Sequence, residues 1–178
     1  MTVVPYSAEW PRLFEQIAAS LEEALSEVPV VSIEHVGSTS VSGLAAKPII
    51  DVDVIVRREA VPAAIRALEA AGYAHRGNLG LVDREAFFPP DDRPPRHVYL
   101  CVEGTLQVRA HVAVRDALRA DVSLRDRYTA VKTALAADAS MDIDRYIAGK
   151  SDVLQEVLAA SALTDEEKRR LYALNTGG

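Results

Sequence analysis

The stretch Ile49 to Val56, IIDVDVIV, decides the fold. Its β-branched aliphatic residues read as a strand. Side chains alternate across a strand, so Asp51 and Asp53 share one face with Ile49 and Ile55, while Ile50, Val52, Val54 and Val56 make the other face wholly apolar. That face needs cover. The alanine-rich run at 61–72, VPAAIRALEAAG, supplies it as a helix with Gly72 as its C-cap. The two carboxylates are then held about 7 Å apart, at about 3.3 Å rise per residue. Their repulsion costs stability unless a cation lies between them. An oxygen-loving divalent ion such as Mg²⁺ is the natural partner, bound by one or two carboxylates plus substrate phosphates. The competing reading is a half-exposed edge strand with solvated aspartates. Asp is disfavoured in strands, which weighs against two in alternation.

Working upstream, Val28 to Val36, interrupted only by Pro29, reads as another strand, and GSTSVSG after it as a turn or loop. In the segment His35 to Ser40, HVGSTS, Gly37 lets backbone approach a ligand closely. The hydroxyls of Ser38, Thr39 and Ser40 can donate to phosphate oxygens. A Gly-Ser turn after a strand is common, and its value here lies in falling one strand before Asp-x-Asp. Lys47-Pro48 stands just ahead of the acidic strand. Lys47 is either a phosphate contact near the metal or a solvated surface lysine.

The remaining elements follow from periodicity. Ser7 can N-cap a first helix, Pro11 fits its first turn, and Leu13, Ile17, Leu21 and Leu25 form its apolar stripe, with Glu15, Glu22 and Glu23 on other faces. Residues 73–75, 86–88, 97–102 and 106–114 are further strand candidates, and PPDDRPPR at 89–96 is a loop by composition. Helical patterns run from Arg115 onward, with breaks near 121–123, 139–141 and 161–164. The final NTGG is expected to fray. The whole is expected to be one α/β (α+β) domain over 1–178: a mixed sheet flanked by helices in a core of about 28–114, and a helical C-terminal part at about 115–174.

Bulk properties bound the function. A chain of 178 residues can bury a proper core, and 49% hydrophobic with 26% charged residues is ordinary globular composition. The net charge of −6 argues against a general nucleic-acid binder, and a nucleic-acid polymer is not the expected partner. The single Cys101 lies in the apolar run HVYLCV and reads as a buried core thiol. No signal peptide is evident in MTVVPYSAEW, and no apolar run approaches the ~20 residues of a membrane span, so a cytoplasmic location is expected.

Arg115 and Arg119 share a helix face, as do Tyr128 with Lys132 and Tyr146 with Lys150. If these helices fold over the sheet, their cations line a pocket facing the Asp pair, suited to a triphosphate. Ordinary salt bridging on helix surfaces is the alternative. By contrast, DEEKRR at 165–170 reads as a helix start on a solvated face, capped by Thr164.

The combination EHVGSTSVSGLAAKPIIDVDV at 34–54 resembles the signature of the GrpB family, a branch of the polymerase-β-like nucleotidyltransferase superfamily. The resemblance extends to YSAEWPRLF at 6–14, Arg84-x-x-Phe-Phe88, VRDALR at 114–119, and the two Tyr-x-x-x-Lys pairs, so it covers nearly the whole chain. It implies a mixed sheet flanked by helices, Gly37-Ser38 as the nucleotide-gripping turn, and Asp51 and Asp53 as the metal-binding catalytic pair. Mg²⁺ would bridge a nucleoside triphosphate and the attacking hydroxyl of an unknown acceptor. The family also occurs fused to dephospho-coenzyme A kinase, which implies an accessory, non-catalytic module as the alternative. The superfamily places a third carboxylate on a later strand. Here those strands read RHVYLCVEG and TLQVRAHVAV, with His97 and Tyr99 on one face of the first, and Gln107, Arg109 and His111 on one face of the second. Glu103 falls at a strand end. No position is an evident third acid, which argues against a two-ion site. His97 and His111 are open to two readings, ligand or proton acceptor on one side and structural histidine on the other.

Overall fold

The fold was obtained as a computed structural model, which describes residues 3–138, 142–159, 161 and 163–176. The acidic strand occupies Ile50–Val56 and becomes β2 of a five-stranded sheet. Its neighbours are β1 (Val30–Val36), antiparallel, and β5 (Arg96–Val102), parallel. Beyond β5 lie β4 (Arg84–Phe88) and the two-residue β3 (Ala74–His75), giving the order β1-β2-β5-β4-β3. The fold is the expected mixed sheet flanked by helices.

Both faces of β2 are covered. Ile50, Val52, Val54 and Val56 are each at most 1% exposed and pack in one cluster with Trp10, Ile17, Leu21 and Leu25 of the N-terminal segment and with Ala64 and Leu68. Two helices therefore cover this face, α1 (Glu9–Ala24) and α2 (Val61–Ala70), where the alanine-rich helix alone was expected. Each buried aliphatic side chain contributes about 1.5–3 kcal/mol, which makes this layer the main source of stability. The helix ends follow the sequence. Ser7 Oγ accepts the Glu9 N–H at 3.2 Å. Gly72 takes φ +91° just past α2, where the Tyr73 N–H reaches the Leu68 carbonyl at 3.0 Å.

The opposite face meets the C-terminal helices, and here one expectation is corrected. Residues 106–114 are not a strand: they open a single helix, α3 (Leu106–Ala120), after Gly104 turns the chain at φ +75°. The helix buries side chains in three directions. Val108 packs on Ile55 and Cys101, Ala110 joins Leu158 and Leu163, and Leu118 joins Val41, Leu44 and Tyr128. A strand offers two faces and could not serve all three clusters. The helical part thus begins at Leu106 rather than Arg115, and Gln107, Arg109 and His111 no longer share one strand face.

The other breaks are close to those expected. Asp121 caps α4 (Val122–Ala137) by accepting the Leu124 N–H at 2.9 Å. The break at 139–141 lies outside the described residues. A further break at Lys150 separates α5 (Ile143–Gly149) from α6 (Ser151–Ala159). Thr164 and Glu167 form a reciprocal cap on α7 (Asp165–Thr176): Thr164 Oγ1 accepts the Glu167 N–H, and Glu167 Oε2 accepts the Thr164 N–H. The helix runs through Asn175 and Thr176, and the last two glycines lie outside the described residues. Among the described residues no helix is long and apolar enough to cross a membrane.

Candidate active site

The turn after β1 is built around one glycine. Gly37 has φ +69° and ψ −174°, a region essentially reserved for glycine. A Cβ there would overlap the Asp51 carboxylate, which packs directly on the Gly37 α-carbon. Residues 38–40 then form a single 3₁₀ turn. Thr39 donates its hydroxyl to the Ile49 carbonyl at 3.1 Å, so the 3.1 Å contact between Thr39 Oγ1 and His35 Nε2 has the imidazole as donor. His35 stacks on Phe14, and burial, then the charge of Arg119, pulls its pKa down to about 4. It is a neutral brace that ties β1, the turn and the start of β2 together. Ser40 Oγ donates to the Gly37 carbonyl at 2.6 Å. His35, Thr39 and Ser40 thus spend hydrogen bonds on the turn itself, and all three are buried.

The carboxylates are not equivalent. Asp51 is half-buried and accepts from His97 Nδ1 at 2.9 Å. Asp53 is fully buried and accepts from His111 Nδ1 at 2.7 Å through Oδ2. Its other oxygen, Oδ1, is buried with no hydrogen-bond partner among the described residues. Burial opposes a charge on His111, but the hydrogen bond and attraction of Asp53 outweigh it and leave the pKa raised. A third acid does stand on this face, and reading only the later strands missed it. Glu34 of β1 is directly across from Asp53. An antiparallel pairing of Val28–Val36 with Ile49–Val56 would have found it, because opposed residues share a face. Glu34 Oε2 is engaged by Arg115 Nη1 at 2.7 Å. No trio of His, Cys, Asp or Glu among the described residues is placed to hold one ion together.

The cations of the helical part divide into two groups. Arg115 binds Glu34, Asp116 and the His35 carbonyl, and Arg119 reaches the Ser40 carbonyl at 2.7 and 3.0 Å. These two fasten α3 to β1 and the turn. Lys132 and Lys150 instead meet Lys47, Ser38, Thr39, Asp51 and His97 around a polar pocket of about 180 Å³. Lys132 is 3% exposed and donates to Ser38 Oγ at 2.7 Å and the Ala45 carbonyl at 2.9 Å. Its neighbour one turn back, Tyr128, presents its ring 5.5 Å away. Burial, then Lys150, brings the Lys132 pKa down to about 7. Burial, then Lys47, lowers that of Lys150. The Tyr146 side chain lies outside the described residues. Cys101 is 1% exposed, and burial followed by Asp53 pushes its thiol pKa up, so it is the inert core thiol expected.

On the other side of the turn, Gly37 and Ser38 also border a separate cavity of about 320 Å³, lined mainly by aliphatic side chains of the helical part.

The mixed sheet flanked by helices is similar to the fold of poly(U) polymerase nucleotidyltransferases. A Cid1 poly(U) polymerase structure with MgGTP bound superposes with a TM-score of 0.54 over 73% of this chain and 43% of that one, at 15% identity. The chain belongs to the GrpB family: the "GrpB protein" family model matches residues 1–160. The crystal structure of conserved protein GrpB from Enterococcus faecalis superposes with a TM-score of 0.76 at 33% identity, over 89% of this chain and 98% of that one. The UPF0157 protein YqkA of Bacillus subtilis is 32% identical over 151 residues, which are 84% of this chain but 44% of that protein.

Proposed function

We propose that the protein is a Mg²⁺-dependent nucleotidyltransferase that moves a nucleotidyl group from a nucleoside triphosphate to a hydroxyl acceptor. The observation that carries this reading is the polar pocket, where Lys47, Lys132 and Lys150 face Asp51 across the Ser38 turn. Three lysines around one small pocket suit a polyphosphate, and the carboxylate beside them suits its metal counter-ion. The donor set fits a hard cation: both side chains are carboxylates, and the orphaned Asp53 Oδ1 is an oxygen that a cation would satisfy. Asp51 and Asp53 would hold the ion, which when bound would neutralise charge on the phosphates. His97 and His111 fix the two carboxylates. Ser38, itself held by Lys132, offers a hydroxyl to a phosphate oxygen. In the transfer the acceptor oxygen bonds the α-phosphorus, the bond to the bridging oxygen breaks, pyrophosphate leaves, and the hydroxyl proton passes to water.

Calorimetry with ATP, GTP, CTP and UTP in the presence of Mg²⁺ tests the reading. Binding of at least one, lost in the Asp51→Ala/Asp53→Ala double variant, is expected. Absence of binding, or binding indifferent to both substitutions, sinks it. A second reading has its own support. Glu34 is engaged by Arg115 and one oxygen of Asp53 by His111, which favours a module that binds nucleotide without turnover, as an accessory domain would. Steady pyrophosphate release with any acceptor would decide against that module.

A further inference from the structure

We infer that the 320 Å³ cavity is the acceptor site, and that its ligand is a small amphipathic anion with an apolar body, rather than the end of an RNA chain or a cationic sugar. Calling the ligand an acceptor rests on the nucleotidyltransferase reading. The existence of the site does not.

Among the described residues the cavity and the lysine pocket share one lining residue, Ser38 of the turn. His111, whose Nδ1 holds Asp53, forms part of the cavity wall, so a ligand bound there is separated from that carboxylate by one imidazole ring. The remaining wall is largely aliphatic: Val41, Ala110, Val114, Leu118, Leu154 and Leu158 come from the turn, α3 and α6. Three of these, Val41, Leu118 and Leu158, are 1% exposed, so the space is recessed in the core of the helical part. Its size falls in the lower range of small-molecule sites, which run to roughly 300–1,000 Å³. Single-stranded nucleic acid is instead gripped by open basic grooves with aromatic stacking platforms. The lining here offers no open stacking platform: its aromatic rings are Tyr128, which is 7% exposed, and His111, which is tied to Asp53.

The charge of the ligand follows from the polar groups in the wall. They belong to Ser38, Arg84, Gln107, His111, Arg115 and Tyr128, with no carboxylate among them, which disfavours a cationic occupant. Arg115 is already matched by Glu34 and Asp116. Arg84 is not so matched. Its guanidinium lies over the Tyr99 ring at 4.5 Å, and its Nε is buried with no hydrogen-bond partner among the described residues. A buried guanidinium donor without an acceptor calls for one, and a ligand carboxylate or phosphate entering the cavity supplies it.

Decanoate, decanol and decylamine share an apolar body and differ in the head group, so they serve as probes. The expected result is that decanoate binds the full chain roughly tenfold or more tightly than decylamine, the value of one charge-assisted hydrogen bond, with decanol between them. Backbone NMR shifts should concentrate at Ala110, Val114 and Leu118. Arg84→Gln should abolish the preference for decanoate over decanol while leaving decanol bound. Ala110→Phe, which fills the cavity, should abolish binding of all three while leaving Mg²⁺–nucleotide binding intact, which also certifies its fold. Equal binding of decylamine, or decanoate binding untouched by Ala110→Phe, overturns the inference. So does displacement of decanoate by saturating Mg²⁺–nucleotide, which would make the cavity a nucleobase pocket. Decanoate binding in a protein that binds no nucleotide would instead uphold the site and defeat the transferase reading.

Discussion

The two faces of β2 pose opposite problems to the rest of the chain. One face presents Ile50, Val52, Val54 and Val56, and α1 and α2 solve it by exclusion of water. The other presents Asp51 and Asp53, and exclusion alone would be ruinous, because a buried unpaired charge costs far more than a buried methyl gains. That face is matched by individual polar partners, with Asp53 Oδ1 left without one among the described residues. His97 arrives on β5 and His111 on α3, while Lys132 and Lys150 come from about 80 and about 100 residues further along the chain. The apolar face is therefore solved by residues near β2 in sequence, the acidic face mostly by residues far from it. The difference teaches that this chain covers apolar surface with whole helices and meets buried carboxylates with single side chains brought in by tertiary folding.

Two substitutions press on that contrast. Val54→Asp moves a carboxylate to the dry face, where nothing can meet it, and should cost about 4 kcal/mol or more in urea unfolding. A loss under about 1 kcal/mol would mean that the faces are interchangeable and would break the comparison. Gly37→Ala comes next, at about 3 kcal/mol. It combines the conformation reserved for glycine with an overlap on Asp51. It should also displace the carboxylate, so Mg²⁺–nucleotide affinity should fall further than stability alone explains. Wild-type affinity in this variant would show that the close packing of turn on carboxylate has no role in binding.

The apolar face of β2 and the apolar stripe of α1 were legible because alternation and i+4 spacing are local signals, carried by Val52 and Val54 on one side and by Ile17 and Leu21 on the other; that α1 joins α2 over β2 was not. The Gly37 turn and the Asp pair were legible for the same reason. The solution of the acidic face was not. LQVRAHVAV alternates like a strand, and only the three separate clusters around Val108, Ala110 and Leu118 make it a helix. With that period misread, His111 could not be aimed at Asp53, nor Arg109 at its actual partner, Glu167. Glu34 was hidden differently: its place beside Asp53 depends on strand pairing, which one strand's pattern does not state. Lys132 and Lys150 could be nominated from spacing, but their meeting with Lys47 is a product of tertiary folding.

The smallest expected effect probes that meeting. A lysine with a pKa near 7 is charged at pH 6 and largely neutral at pH 8, so it attracts anions in the first condition and not in the second. Sulfate keeps its own charge between pH 6 and pH 9 and is the suitable probe. Its affinity should fall roughly fivefold from pH 6 to pH 8, about 1 kcal/mol, as Lys132 loses its proton. The sign is opposite for stability. The folded-state pKa of Lys132 lies below the ordinary 10.5, so its contribution to stability is full above pH 10.5 and is lost as pH falls towards 7. Lys132→Met should weaken sulfate binding at pH 6 and flatten its pH profile, while His97, His35 and His111 remain in place. A profile that stays steep in Lys132→Met would move the titrating group elsewhere, and would mean that the lysines of the helical part do not set the charge opposite Asp51.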